Sequence, residues 1–136
     1  MRAATIASVL IVGVLSGCGG DEPAGPAAVM STYLSAVADG DGERACAQLT
    51  EATRQATLRA AARNFPDLDA KTCGQALTRL LTRLSEAERT QVRETKVRLI
   101  AASDARATVE LREGAKPAQL LKRDGRWYVS GGLFQE

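Results

Sequence analysis

From Pro26 onward the apolar positions recur with a helical period. Met30, Tyr33, Leu34 and Val37 fall at i, i+3, i+4 and i+7, which puts them on one stripe of a helix. Asp39-Gly40-Asp41-Gly42 ends that helix, and Asp41 is placed to cap a second one over Glu43 to Leu49. A third, from Glu51 to Phe65, carries the stripe Leu58, Ala61, Ala62 and Phe65 and is stopped by Pro66. In the fourth, Cys73, Leu77, Leu80, Leu81 and Leu84 share a face while Arg79 and Arg83 point away, the pattern of a helix lying on a sheet or on another helix. Ser85-Glu86-Ala87-Glu88 has the spacing of a capping box and predicts a short helix from Glu86 toward Arg93.

After Glu94 the period drops from 3.6 to 2. Val97 and Leu99 alternate with Lys96, Arg98 and Ile100; Ala105, Ala107, Val109 and Leu111 alternate with Arg106, Thr108, Glu110 and Arg112. Each strand therefore has one face for a core. Leu120 to Arg123 and Arg126 to Ser130 flank Asp124-Gly125, a strong signal for a two-residue type I′ hairpin. Helices first and strands afterwards predict an α+β fold, N-terminal helices packed on one face of a four-stranded antiparallel meander. Gly131-Gly132 is a place for the last strand to bend.

Ahead of Pro26 the pattern is different. Gly19 to Pro26 (GGDEPAGP) is polar and rich in Gly and Pro, and reads as a flexible tether; eight such residues have a root-mean-square reach of roughly 15 Å. Ala3 to Leu15 is apolar behind Arg2, the layout of an export signal too short for a comfortable permanent span. The run closes on Leu15-Ser16-Gly17-Cys18, which resembles the bacterial lipobox. That resemblance implies cleavage after Gly17, acylation of Cys18 and a protein held by lipid on the extracytoplasmic side of a cell membrane. Two or three acyl chains anchor well, because each buried methylene contributes about 0.8 kcal/mol and a single chain is marginal. The alternatives are an ordinary signal peptide that leaves Cys18 as an odd thiol, and an uncleaved anchor. In the unprocessed chain, Ile6 to Val14 is expected to form a helix apart from the domain.

Composition adds limits. The chain has 136 residues with 18 basic and 16 acidic side chains, and removal of residues 1–17 takes away one base, Arg2, leaving 17 against 16. Near neutrality supplies no strong field for nucleic acid. About 119 residues then suit one domain, residues 27–136 following the tether. No histidine is present, so metal chemistry and a metal cofactor are not expected. With Cys18 set aside, Cys46 and Cys73 are the remaining thiols of an exported chain, and a disulfide is the natural reading. It would close a loop of 27 positions, worth roughly 3 to 4 kcal/mol on the loop-entropy model. Two buried free thiols, or a redox pair without C-x-x-C spacing, are the alternatives.

The succession Tyr33 to Gly42, then Ala45-Cys46-Ala47-Gln48-Leu49, and the closing Leu121-Lys122-Arg123-Asp124-Gly125-Arg126-Trp127-Tyr128-Val129 resembles the small secreted NTF2-like lipoproteins of actinobacteria over about residues 27 to 134. The resemblance implies a cone, with helices in the concavity of a curved sheet, often a pocket and often a dimer. Fold does not fix function in such a superfamily. The preferred expectation is a non-enzymatic module that binds a small apolar ligand in the cone, or an envelope protein or a second copy through the sheet face. The alternative is an isomerase or hydratase using an acid–Tyr pair. Tyr33, Trp127 and Tyr128 are the candidate pocket residues. No catalytic residue is assigned, because Glu110 alternates away from Val109 and Leu111 and Asp104 falls in a turn. Arg54, Arg59, Arg63, Arg79, Arg83, Arg89 and Arg93 read as a solvated helix surface among Glu51, Glu86, Glu88 and Glu94, with a basic side toward anionic headgroups as the other option.

Overall fold

The structure, a computed structural model, describes residues 23–131. The signal residues Leu15, Ser16 and Gly17, the lipidation residue Cys18, the leader helix and the first part of the tether lie outside the described residues. So does Gly132. Pro23 to Gly25 enter as exposed, irregular chain.

Five α-helices precede four strands among the described residues: α1 Pro26–Asp39, α2 Gly42–Ala47, α3 Glu51–Asn64, α4 Cys73–Leu81, α5 Glu86–Glu94, then β1 Arg98–Ala102, β2 Arg106–Glu110, β3 Ala118–Arg123 and β4 Arg126–Gly131. A single 3₁₀ turn, Pro66–Leu68, links α3 to α4. The fold is α+β, with the strands in the order β1-β2-β3-β4, all antiparallel and not closed into a barrel.

Local chemistry sets the helix ends. Gly40, at φ 74°, closes α1 with the bonds Gly40 N–H to Val37 O (3.1 Å) and Asp41 N–H to Ala36 O (2.9 Å), a Schellman stop that a left-handed glycine makes cheap. The next residue starts α2, since the Asp41 carboxylate accepts the Arg44 N–H at 3.0 Å. Thr50 and Thr72 cap α3 and α4 in the same way. At Ser85 the capping box is complete: Ser85 Oγ accepts from Glu88 N–H (3.2 Å) and Glu88 Oε2 accepts from Ser85 N–H (2.7 Å). Those bonds hold the Glu88 carboxyl below its ordinary range. Asp124 and Gly125 both have positive φ, 49° and 77°, as a type I′ turn requires.

The core lies between the helices and one face of the sheet. Met30, Leu49, Val109, Leu120 and Val129 are its largest fully enclosed side chains, joined by Tyr33, Leu77 and Leu81. Register explains the choice: Ala107 opposes Leu120, Val109 opposes Ala118 and Leu120 opposes Val129, so one sheet face is apolar. The other carries Arg106, Gln119, Arg123 and Arg126 with half-buried Thr108, Leu121 and Tyr128.

Two expectations are corrected here. β1 has no buried residue at all, and Leu99 and Ile100 are 46% and 47% exposed. Leu99 does face the core side, opposite Val109, but α1 crosses mainly β4 and only brushes β1. An alternating strand so little covered by the described residues buries neither face. Likewise the α3 stripe ends early, because Ala61 is buried whereas Ala62 and Phe65 are exposed beyond the reach of the neighbouring helix. Boundaries also move: α4 stops at Leu81, so Leu84 packs on the core from a turn.

The sheet edges differ. The outer side of β4 is sealed by Gln48–Thr50, with Val129 N–H to Gln48 O at 2.7 Å and Thr50 N–H to Val129 O at 2.9 Å. β1 has a bulge at Ile100 and, among the described residues, no strand beyond it.

The closest helix contact is α2 on α4. A Cβ on Gly42 would sit 2.2 Å from Thr78 N and 2.5 Å from Gly74 O, both backbone atoms that cannot swing aside. Gly42→Ala is therefore expected to lose about 1 to 3 kcal/mol of stability by urea unfolding, while Gly131→Ala, where a Cβ meets nothing within 4 Å, should stay within about 0.5 kcal/mol.

Candidate functional site

A cleft of about 350 Å³ opens where α2, α3 and the amino end of α4 meet. Its back wall is the disulfide Cys46–Cys73, with a Cα–Cα distance of 6.1 Å. Glu43 and Glu51 supply acid, Arg54 and Lys71 supply base, and Leu58 and Ala47 supply apolar surface. The approach of Gly42 to α4 brings Cys46 within reach of Cys73. Gly74 then leaves room for the Glu43 carboxylate, whose atoms would lie 2.1 to 2.2 Å from any Cβ there. The acid rests on the amino end of α4, where the helix dipole favours negative charge.

Arg54 is the notable base. Its Nη2 is 3.1 Å from Glu51 Oε2, but its Nε is buried with no hydrogen-bond partner, the one such side-chain atom among the described residues. Burying a donor unpaired is costly. Lys71 Nζ lies 2.6 Å from Asp69 Oδ1 at the rim, and that contact lowers the Asp69 pKa. The arrangement offers paired opposite charges beside a closed disulfide. It presents neither a free thiolate nor an acid hydrogen-bonded to a nucleophile.

The three aromatic pocket candidates are not brought together. Tyr33 is 2% exposed inside the core, and burial raises its pKa from 10.0 to about 12. Trp127 faces the core side at its margin, with Lys122 Nζ 5.7 Å from the ring centroid. Tyr128, one residue on, faces the opposite side of the sheet. None of the three lines this cleft or the second one, about 210 Å³, around Phe65, Pro66 and Leu68. Glu110 pairs with Arg98, its direct cross-strand partner, with Arg98 Nε 2.9 Å from Glu110 Oε2.

Cys46 and Cys73 are joined as expected. Sequence reading missed Glu43, Glu51, Arg54 and Lys71 as a group. The available signal was the glycine beside each cysteine, Gly42 one turn before Cys46 and Gly74 directly after Cys73, which marks helices in close approach. It also missed Arg89, whose guanidinium donates to Ala38 O (3.1 Å) and Leu81 O (2.5 Å) and so holds the carboxyl ends of α1 and α4 together. Arg79 similarly donates to the carbonyls of Leu68 and Asp69.

Compared with protein-family models, with curated proteins and with solved structures, the chain matches none. Among the described residues no group of three or more His, Cys, Asp or Glu side chains is placed to hold a metal ion, and no helix is long and apolar enough to cross a membrane.

Replacing both Cys46 and Cys73 by Ala should cost roughly 3 to 4 kcal/mol in urea unfolding, and non-reducing mass spectrometry should find no free thiol at either position in the parent chain. Tyr33 gives a pH test. Its phenol is held neutral in the fold, so its share of stability is full below pH 10 and is lost as pH rises toward 12. That share is about 2 to 3 kcal/mol; Tyr33→Phe should remove this part of the alkaline loss when unfolding curves from pH 8 to 11.5 are compared.

Proposed function

We propose that this chain is an exported lipoprotein, cleaved ahead of Cys18 and tied by acyl chains to the extracytoplasmic side of a cell membrane, whose folded part is a non-enzymatic binding module. The observation that carries the reading is the partition of the cysteines. Two of the three are joined to each other, and disulfides persist in oxidising compartments outside the cytosol. The third stands in Leu15-Ser16-Gly17-Cys18, the residues that resemble a lipobox. The element order, helices followed by a four-stranded meander, supports the resemblance to NTF2-like secreted lipoproteins.

Binding is favoured over catalysis by what the interior holds. Among the described residues no Asp or Glu is buried with Tyr33, and burial is the cause of its raised pKa, so the core offers no acid–Tyr pair. The space between helices and sheet is filled by Met30, Leu49, Leu120 and Val129 rather than open to an apolar ligand. A protein partner on the outer sheet face, where Leu121 and Tyr128 lie among arginines, is accordingly the better-supported form of binding.

Membrane-extracted protein is expected to begin at Cys18 and to carry acyl chains by intact mass, whereas Cys18→Ala should retain Met1 and gain no acyl mass. Intact Met1 on an unacylated, water-soluble parent product would overturn the proposal.

A further inference from the structure

The carboxyl end of α3 projects an apolar tip among cations. Phe65 is 38% exposed, Pro66 follows it, and Ala62 is exposed one turn earlier. The Arg83 guanidinium lies 5.5 Å from the Phe65 ring centroid, which keeps the ring at the surface beside a charge. Arg59 and Arg63 are both exposed and stand one turn apart on α3. Arg83 pairs with Asp67 (2.5 Å) and Lys71 with Asp69 (2.6 Å). Those two acids leave a clear excess of positive charge around the ring.

An exposed ring with one guanidinium over it and two more on the same helix matches the headgroup zone of an anionic bilayer, with the ring at the acyl boundary and the cations among phosphates. The other exposed apolar pair, Leu99 and Ile100, lacks that excess, since Arg98 is neutralised by Glu110 and Asp104 is close by. We propose that the α3 corner formed by Phe65 and Pro66 with Arg59, Arg63, Lys71 and Arg83 is the face on which the domain rests on an anionic lipid surface. This rests on the anchored reading above. A tether that holds the domain at the membrane raises the effective concentration of headgroups, so a contact too weak to recruit a free protein suffices to orient a tethered one.

The test uses the full, processed protein in vesicles, with Trp127→Phe removing the native tryptophan and Phe65→Trp or Ile100→Trp reporting position. In vesicles containing phosphatidylglycerol and brominated acyl chains, Phe65→Trp should shift to the blue and lose more than half its emission. Ile100→Trp should do neither, and phosphatidylcholine alone should abolish the effect. Adding Arg59→Glu and Arg63→Glu to Phe65→Trp should also abolish it, with circular dichroism unchanged. Quenching at Ile100→Trp in place of Phe65→Trp, or quenching equal in phosphatidylcholine, would overturn the proposal. Acyl mass on Cys18 is read on the same sample: an anchored chain unquenched at Phe65→Trp overturns the docking face alone. A chain without acyl mass overturns the anchor, and with it the docking face, which needs the tether.

Discussion

The contact between α2 and α4 is the constraint on which the rest of the domain depends. A helix of six residues has too few internal hydrogen bonds to hold itself. α2 persists because Gly42 lets it touch the α4 backbone, Gly42 N–H donates to Thr78 Oγ1 at 3.1 Å, and Cys46 is bonded to Cys73. The segment that leaves α2 then seals β4 and drops Leu49 into the core against Val129. One helix of little intrinsic stability thereby fixes how the helical layer sits on the sheet. Loosening it would free the disulfide wall, the cleft and the β4 edge together.

Helix ends supply the second organising element. α1, α4 and α5 converge, and Arg89 binds the terminal carbonyls of the first two through charge-assisted hydrogen bonds. Gly40 belongs to the same junction, since a Cβ there would come within 3.0 Å of the Arg89 guanidinium. An arginine on an exposed-looking helix face thus acts as an internal fastener.

Much of this was legible in the sequence where a short motif has one physical solution. Asp124-Gly125, Ser85 with Glu88, and Asp41 after Gly40 each satisfy named backbone groups within a few residues, so spacing alone identifies them. The α+β layering followed from the change of period at Glu94. What periodicity does not encode is coverage. It marks Leu99 and Phe65 as apolar-face residues but carries no information on whether another element extends over them, and among the described residues both stay exposed. The same limit dispersed the aromatic candidates: Tyr33 went to the core while Trp127 and Tyr128, adjacent in a strand, necessarily face opposite ways. The cleft was hidden for a different reason, because Glu43, Arg54 and Lys71 converge only after the cysteines have joined helices distant in sequence.

The unequal rims of the sheet bear on how copies of this domain meet. A sheet open on both sides can add strands without limit, the geometry that feeds fibrous growth. With the β4 side met at Val129 by the chain's own Gln48–Thr50 and, among the described residues, no strand beyond β1, rim-to-rim addition has one favoured side: two copies joined through β1 leave a third only the obstructed β4 rims. Such a limit permits pairing while disfavouring polymerisation by that route.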